Sequence, residues 1–592
     1  MHRFVASRGF DLTLLGCAAA PTLVWALAPS AGWVPLGIAI VPWIARALWG
    51  SRPAFRTRLD PAVALFLAAG LVAVWAAYDG AAALAKFRLI VAAVLLYYAL
   101  ASQPEEDLWA IAGALAGLGA LASGPALWSG VRAAAGGGLG LSAASLDALA
   151  GLMALTAPFA LVILFEGTRL RRWVVVLLGS ASMVLILAGL WVSSERSAWL
   201  GAGIALLWVV AAARPGKDDG PANRPRLTRT TGLLLLLGSV VVLVAVGAWL
   251  AGIRLADVLA DARVAERLAL SRNTLRMAGD FLLTGGGLAS FPGLYSRYVL
   301  LIPVLFTTTS HNLYLDVLTE LGVAGLVSFM ALACGSIWLL RTRGLRPPTV
   351  HDPALRLPAA ALGSIAALVI MGLIEDPLFA TQGLGFLLLP FGMAAAVVGE
   401  PGRLRAVRST VAKPGLHRAT AARRLWAIAL AVGVLSLLSF HRQVRSAGLA
   451  DVGSVLLARV ELRGWPTAQD NGVALSEARA LAGDLFSRAV ALDPGNLGAN
   501  YRLGLMAMDE RDFVRARSPL QTAAAKDPGH RGVRKALAYD LTWLGALDEA
   551  LPLFEGIPEA SQELGVYAWW WGTQGRDDLA ERAERMSTLL QP

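Results

Sequence analysis

Residue types that commonly carry metal or redox chemistry are scarce in this chain, which has two cysteines and six histidines among 592 residues. Both cysteines, Cys17 and Cys334, lie inside apolar runs, where neither is placed for a disulfide or a metal site. The sequence also lacks a phosphate-binding P-loop, a nucleophile elbow, and any group of His, Cys and Asp at metal-ligand spacing. We therefore expect no metal and no other cofactor.

Charged residues are scarce as well, at 16% of the chain, whereas 56% of the residues are hydrophobic and the mean hydropathy is +0.60. Repeated apolar stretches of about 20 residues identify an integral membrane protein. The first stretch has no clear small-residue cleavage site, so we interpret it as a retained helix and not as a removed signal peptide. The second is short and could be re-entrant. About thirteen candidate spans lie near 11–29, 33–49, 61–78, 84–101, 108–128, 146–166, 173–193, 197–213, 231–251, 313–340, 358–374, 380–399 and 424–441.

The net charge of +11 comes mostly from basic residues in short loops, which set membrane topology. If every span crosses, the basic loops share one side, and they are 46–58, 167–172, 214–230, 341–356 and 400–424. That side, with the N-terminus, is then cytoplasmic; the acidic loop 102–107 shares it but weighs little. The loop 252–312 and the region after 442 face outside, the periplasm in the case of a Gram-negative inner membrane. No basic face is interleaved with aromatic residues, so nucleic acid is a poor candidate partner.

The C-terminal region, 443–592, is polar and amphipathic, and it repeats. Asp493-Pro494-Gly495 recurs as Asp527-Pro528-Gly529, a spacing of 34 residues that is typical of a tetratricopeptide repeat. Such repeats form a helical solenoid whose concave face binds peptide or protein. The alternative is a packing or capping domain without a partner. Small and apolar residues recur in the same frame at Ala482, Phe486, Ala489, Leu503, Gly504, Ala516, Ala523, Leu537, Ala550 and Phe554.

Three polar segments could carry chemistry. The first is Ser193-Ser194-Glu195-Arg196, a very short link between two apolar runs. An ionisable pair at a membrane edge is costly unless it is solvated or paired, so it suggests a functional site. The alternative is an arginine that reaches the interface and pairs with Glu195.

The second segment is the polar island 252–312, which lies between two membrane-length runs. Arginine forks suit phosphate oxygens, so the island predicts an anionic, lipid-linked substrate; a solvated basic face or lipid headgroup binding is the alternative. Gly285-Gly286-Gly287 ends a predicted surface helix and allows another backbone to approach closely. The arginines of the island are Arg254, Arg263, Arg267, Arg272, Arg276 and Arg297.

The third segment, Ser310-His311-Asn312, begins a long apolar helix. A histidine there can titrate near neutrality and serve as a general base, although a lone histidine is more often structural. Asp316 and Glu320 are four residues apart on one face of that helix, where they could orient a polar network or pack against neighbours.

These segments, in this order, resemble the O-antigen ligase/polymerase superfamily of WaaL and Wzy-type proteins, over about residues 60–400. Arg196-Ser-Ala-Trp-Leu begins a helix, and a loop arginine precedes Asp280-Phe-Leu-Leu-Thr-Gly-Gly-Gly, which lacks the proline of the family pattern. His311-Asn-Leu-Tyr-Leu and then Glu320-Leu-Gly-Val-Ala-Gly give the strongest match. The tryptophan often found five residues after the loop arginine is missing if that arginine is Arg267, so Arg272 and Arg263 are rival candidates for it.

The resemblance implies a metal-independent, inverting transfer of a glycan from undecaprenyl pyrophosphate. It implies that Arg196 and Arg267 (or Arg272) hold the pyrophosphate as it leaves, and that His311 deprotonates or positions the acceptor hydroxyl. We expect the remaining substrate-binding residues to be Arg263, Arg276, Asn312 and Tyr314. The external side offers no nucleotide sugar, which agrees with the absence of a nucleotide-binding motif.

The leading hypothesis is a ligase that joins the glycan to lipid A core or a related acceptor. A polysaccharide polymerase and a protein O-oligosaccharyltransferase are alternatives within the same fold. A transporter or flippase, for which Lys86, Arg88 and Glu375-Asp376 are modest hints, and a scaffold that acts through its repeats are the non-enzyme alternatives.

The predicted fold is all-α: a polytopic transmembrane helical bundle of about 12–13 spans, similar to the GT-C glycosyltransferases, with a periplasmic α-solenoid. The predicted divisions are 1–251 for the first membrane helices, 252–312 for the periplasmic loop, 313–442 for the remaining membrane helices and 443–592 for the repeats.

Overall fold

The computed structural model describes residues 8–28, 30, 32–49, 56–136, 141–213, 262–302, 307–343, 356–399, 440–465 and 472–591. Over these residues the chain is helical and contains no strand. The helices up to residue 398 are α1 Arg8–Leu27, α2 Val34–Trp49, α3 Asp60–Ala76, α4 Gly80–Ala101, α5 Leu108–Ala134, α6 Ala143–Arg169, α7 Trp173–Ser193, α8 Arg196–Ala213, α9 Ala262–Gly279, α10 Phe291–Tyr295, α11 Leu313–Arg343, α12 Arg356–Ile374 and α13 Leu389–Val398. Short helical turns cover Glu105–Asp107, Ser296–Leu300 and Gln382–Phe386.

Six segments are long and apolar enough to cross a membrane, which confirms a multi-pass helical membrane protein. They are Gly80–Ala101, Glu105–Ala134, Ala143–Arg169, Trp173–Ser193, Leu313–Thr342 and Arg356–Ile374. Five shorter apolar helices accompany them at Thr13–Trp25, Val34–Leu48, Asp60–Ala76, Arg196–Ala212 and Gln382–Val398. These eleven segments coincide with eleven of the thirteen predicted spans. Of the other two, 231–251 lies outside the described residues and 424–441 lies almost wholly outside them.

The bundle packs around α6, whose apolar stretch is the most buried of the six. Small residues allow the helices to approach one another closely, as is usual in membrane bundles. A Cβ on Gly119 would lie 2.2 Å from Oγ1 of Thr156, and one on Gly189 would lie 2.6 Å from the sulfur of Met153. By contrast, α7 is mostly exposed, and Trp173 and Trp191 at its two ends are each 77% exposed. They are about 27 Å apart along the helix, close to the hydrocarbon thickness of a bilayer.

The two ends of the bundle can be told apart by their residues. At one end, Glu166 pairs with Arg169 at 2.6 Å and with Arg356 at 3.2 Å. Arg341 lies at this end too, because α11 and α12 are antiparallel, with the start of α11 hydrogen-bonded to the end of α12. We call it the basic end. The opposite end carries His311 and is called the His311 end.

Near its start, α11 is broken at Gly322, which has φ 67° and ψ −170°. The segment 282–287 before α10, which contains the three adjacent glycines, satisfies the backbone groups that the break leaves free. The amide of Gly286 donates to the carbonyl of Thr319 at 2.7 Å, and the amide of Val323 donates to the carbonyl of Leu282 at 2.7 Å. The predicted close approach of backbone at this glycine run is confirmed. A broken membrane helix is tolerated only where such groups find partners.

We expect Gly285→Ala to lower the thermal stability of the protein. Gly285 has φ +74°, and its Cβ would lie 2.3 Å from the carbonyl oxygen of Glu320. Forcing that contact should cost about 1–3 kcal/mol. The control is Gly203→Ala in α8, where a Cβ meets nothing within 4 Å and alanine favours the helix. Thermal unfolding of both purified variants in detergent is the measurement, and equal midpoints would contradict the explanation of the break.

Consecutive helices of the C-terminal region pack against one another. They are α14 His441–Glu461, α15 Gly472–Leu492, α16 Leu497–Asp509, α17 Phe513–Lys526, α18 Arg531–Leu544, α19 Leu547–Ala550, α20 Ala560–Thr573 and α21 Asp577–Leu589, with a short turn at Leu551–Phe554.

The two Asp-Pro-Gly motifs form the same turn between helices. Oδ1 of Asp493 accepts from the amide of Gly495 at 3.1 Å, and Oδ1 of Asp527 accepts from the amide of Gly529 at 3.0 Å. In each case the next residue, Asn496 or His530, caps the following helix through its side chain. The local structure therefore repeats as the sequence does, and the tetratricopeptide interpretation stays a prediction.

Candidate functional site

His311 lies immediately before α11 in a constrained turn. Its φ of 56° is unusual for a residue with a side chain. The turn is held because Asp316 accepts the amide of Ser310 at 2.9 Å, and because Oδ1 of Asn312 accepts the amides of Tyr314 and Leu315 at 3.1 Å, as an N-cap does. The sequence thus fixes the backbone and leaves the imidazole 45% exposed at the end of the bundle.

The side chain of Glu375, just after α12, joins His311 to Arg267. Oε2 of Glu375 lies 2.7 Å from Nδ1 of His311, and Oε1 pairs with the guanidinium of Arg267 from α9. Arg267 also donates to the carbonyl of Ile374 at 3.4 Å. Three segments that are distant in sequence therefore meet here, and we call His311, Glu375 and Arg267 the carboxylate-bridged cluster.

Glu375 was not among the predicted site residues. The sequence suggested it only as a hint of transport, because a carboxylate at the end of an apolar helix has no motif of its own. Only its contact with His311 and Arg267 shows its position in the site.

The cluster shifts the proton equilibria of its members. The hydrogen bond to Glu375 raises the pKa of His311 above its ordinary 6.5, against the opposing effect of burial. Burial alone would raise the pKa of Glu375, but the hydrogen bonds and positive charges of His311 and Arg267 lower it. Glu375 is therefore ionised at neutral pH and accepts the Nδ1 proton of His311. That assignment leaves Nε2 of the neutral imidazole free to accept a proton.

Arg196 is the first residue of α8 and is exposed. Glu195 does not pair with it: Oε1 of Glu195 accepts from Oγ of Ser197 at 2.7 Å and from the amide of Ser197 at 3.3 Å. Within the described part of the chain, Arg196 has neither a hydrogen bond nor an ion pair. Its guanidinium is thus available to a ligand.

The position of Arg196 follows from the antiparallel packing of α8 on α12. A Cβ on Gly201 would lie 2.9 Å from the carbonyl of Ala367, and one on Gly363 would lie 3.1 Å from the carbonyl of Ala205. Extending this register by one turn places Arg196 beside the last turn of α12, which leads into Glu375. The structure therefore brings Arg196 to the same end as the carboxylate-bridged cluster.

A second carboxylate that sequence reasoning missed is close by. Asp147, in the first turns of α6, lies within electrostatic range of Glu195, Glu375 and His311. Its neighbours come from three segments, so the α7–α8 link, the residues before α11 and those after α12 come together here.

The other predicted arginines do not join the cluster. Arg272 is exposed and, among the described residues, unpaired; it lies five residues after Arg267 and so faces away from it on α9. Arg276 binds the C-terminal helices, with its Nε 2.7 Å from Oδ2 of Asp527. The side chain of Arg263 lies outside the described residues.

Asn312 and Tyr314, which were predicted to bind substrate, tie α11 to α12. Nδ2 of Asn312 donates to the carbonyl of Leu373 at 3.1 Å, and the hydroxyl of Tyr314 donates to the carbonyl of Val369 at 2.8 Å. Both bonds hold the start of α11 against the end of α12. They thereby keep His311 beside Glu375.

A buried ionic group lies behind the His311 turn. Nζ of Lys86 is 2.7 Å from Glu320, which also accepts the amide of Ala289 at 3.0 Å. Burial and the nearby Asp316 raise the pKa of Asp376 well above its ordinary value. A cavity of about 340 Å³ adjoins this group. Lys86 thus has a structural partner, which weakens it as a hint of transport.

Across the described residues, no three or more His, Cys, Asp and Glu side chains are arranged to hold a metal ion. The chemistry that the residues present can supply is that of one titratable imidazole, one carboxylate that orients it, and guanidinium groups beside it. Such a set suits proton removal from a hydroxyl next to an anion.

Part of the chain is similar to a known protein family. Residues 181–330 match the family model described as O-antigen ligase. No curated protein matches the chain. The matched segment includes Arg196, Arg267, His311 and Glu320, whereas Glu375 lies beyond it. Over residues 181–330, this multi-pass helical protein is therefore similar to the O-antigen ligase family, which suggests an enzyme of the glycosyltransferase type.

Proposed function

We propose that this protein is an O-antigen ligase-type glycosyltransferase. It transfers a glycan from undecaprenyl pyrophosphate to an acceptor hydroxyl, on lipid A core or a related molecule, at the periplasmic face of the inner membrane. The observation that carries the proposal is the carboxylate-bridged cluster, in which one imidazole and one guanidinium share a carboxylate at the end of a membrane bundle.

The transfer is a single displacement. The acceptor oxygen attacks the anomeric carbon of the glycan, and its proton passes to Nε2 of His311. The bond between that carbon and the pyrophosphate oxygen breaks, and undecaprenyl pyrophosphate leaves with the bonding electrons. Glu375 holds the imidazole by its Nδ1 proton and stabilises the imidazolium that forms.

Arg196 and Arg267 stabilise the leaving group. The pyrophosphate gains negative charge as its bond to the sugar breaks, and guanidinium groups fixed at that point lower the barrier. Arg196 has no other partner among the described residues. Arg267 is 52% exposed and pairs with Glu375 through one side of its guanidinium. Both can therefore reach a diphosphate without first losing a buried ion pair.

The arrangement of the two ends supports an external site. The basic end agrees with the positive-inside rule, so the His311 end faces outward. The last residues of α8 lie at the basic end of the bundle, whereas α9 lies at the His311 end. The chain therefore changes ends between α8, which precedes 214–261, and α9, which follows it. The end of α13 lies at the basic end, where Gly399 approaches Glu105. The start of α14 lies at the His311 end, where Asp451 binds Leu283. The predicted spans 231–251 and 424–441 fall in these intervals, which supports the proposal that the C-terminal helices lie outside with the site.

The C-terminal helices would form the tetratricopeptide-like solenoid of the sequence prediction. Because they would share the external side with the site, a protein partner or a protein acceptor bound to them would be near the transfer chemistry. A polysaccharide polymerase and a protein O-oligosaccharyltransferase use the same donor. A deletion strain separates the three: loss of long glycan on lipid A core supports the ligase, whereas loss of free polymer or of glycoprotein would contradict it.

The protonation of His311 predicts the pH dependence of transfer. The base must be neutral, so the rate falls as the pH drops through the raised pKa of His311. Glu375→Gln removes the charge that raises this pKa, so the acid limb should move to lower pH, and the maximal rate should fall because the imidazole is less well oriented. The measurement is the rate of transfer against pH.

The control for Glu375→Gln is Glu166→Gln at the basic end, which should leave the profile in place. An acid limb that is the same in Glu375→Gln and the wild type would contradict the role given to His311.

A further inference from the structure

The end of α9 is bound by the C-terminal helices. Arg276, one turn from that end, contacts the turn between α17 and α18: Nε lies 2.7 Å from Oδ2 of Asp527, and Nη1 donates to the carbonyl of Gly529 at 2.6 Å. This is the second of the two Asp-Pro-Gly turns. A repeat element of the C-terminal region thus contacts the helix that carries Arg267.

A buried ion pair follows one turn later. Nη2 of Arg502 in α16 lies 3.1 Å from Oδ2 of Asp280, and the two side chains are 0% and 3% exposed. The guanidinium also lies 3.3 Å from the ring centre of Tyr298. Neither charge can be left alone in this environment without a large penalty, so the pair holds the two regions together.

A third contact involves Asp451 of α14. Its Oδ2 accepts the amide of Leu283 at 2.7 Å, and its Oδ1 accepts the hydroxyl of Thr284. Asp451, Arg502 and Asp527 therefore bind residues 276–284 from three different parts of the C-terminal region. We call these three residues the anchor.

The anchor and the site lie on opposite faces of α9. Arg267 is nine residues before Arg276, which is about 13 Å along the helix and half a turn around it. The side chain of Arg267 is half exposed, so its ion pair with Glu375 cannot fix the helix alone. A tilt of α9 about its anchored end would displace Arg267 more than any residue closer to the anchor.

We propose that the anchor residues are positioning residues for Arg267, so that the C-terminal helices set the affinity of the site for the diphosphate. The inference rests on the proposed function, because it assigns Arg267 to that group. It gives the C-terminal helices a role in the reaction even when no partner is bound to them.

The test is a double-mutant cycle on the full chain in nanodiscs, with undecaprenyl pyrophosphate as the probe. Asp527→Asn should weaken binding about fivefold or more, which is a typical coupling between sites. In an Arg267→Ala background the same change should have no further effect, because its action passes through Arg267. Equal weakening in both backgrounds, or none in either, would overturn the inference.

The matched control is Glu549→Gln, since Glu549 pairs with Arg517 at 2.8 Å within the C-terminal helices. It should change the affinity in neither background. Hydrogen exchange gives a readout independent of the probe: the amides of α9 should exchange faster in Asp527→Asn than in Glu549→Gln, and equal exchange would overturn the inference. If the wild type does not bind the probe, the proposed donor is wrong, and the exchange result still decides whether the anchor holds α9.

Discussion

We expect His311→Ala to abolish glycan transfer and to leave the protein in the membrane at the wild-type level. In the proposed mechanism the imidazole takes the acceptor proton, and losing a general base costs about 10²- to 10⁴-fold in rate. The side chain is 45% exposed and its backbone turn is held by neighbouring residues, so the fold does not depend on it. Transfer in the deletion strain carrying the variant, beside its abundance in isolated membranes, is the measurement.

His441→Ala is the control. His441 is the first residue of α14, is exposed, and lies far from His311 in the sequence. It should transfer glycan as the wild type does. Wild-type transfer by His311→Ala would remove the base from the mechanism, whereas a loss of the variant from the membrane would show a structural role instead.

We expect Arg267→Ala to reduce transfer by about 10²- to 10³-fold, the effect of removing one fixed donor that stabilises developing charge. The change also leaves Glu375 with His311 as its remaining partner in the cluster, so the pKa of His311 should rise further. The loss of transfer relative to the wild type should therefore be greater at about pH 6 than at about pH 8, two values that bracket the ordinary histidine pKa. Initial rates with a lipid-linked glycan at both values provide the measurement.

Arg272→Ala on the same helix distinguishes Arg267 from its rival. Arg272 faces away from Glu375 and is exposed, so its removal should change the rate much less. If Arg272→Ala abolished transfer while Arg267→Ala did not, the assignment of the loop arginine would be wrong.

The membrane helices could be predicted from the sequence because each is a long apolar run that its hydropathy alone identifies. The span predicted at 146–166 lies inside α6, and the span at 173–193 is α7. The bilayer requires such runs, so their hydropathy is a direct consequence of their environment. The glycine run before α10 was also readable, since three adjacent glycines indicate close backbone contact.

The site was only partly accessible. His311 and Arg267 stand out as polar residues in an apolar chain, whereas Glu375 follows a helix 64 residues after His311 and gains its role from tertiary contact. Arg267 and Arg276 look alike in sequence, and what separates them is the half turn of α9 and the position of Asp527. The sequence predicts Asn312 and Tyr314 as substrate-binding residues, whereas they join α11 to α12. The two roles cannot be told apart in sequence, because helix capping and helix pairing use the same polar atoms as substrate binding.

The most direct test of the central claim compares binding with turnover in purified protein that is given a glycan on undecaprenyl pyrophosphate. The variants are His311→Ala and the double variant Arg196→Ala with Arg267→Ala. The proposed mechanism predicts that His311→Ala binds the donor as the wild type does and transfers nothing, whereas the double variant no longer binds it. Wild-type donor affinity in the double variant would contradict the proposal that these two arginines bind the diphosphate.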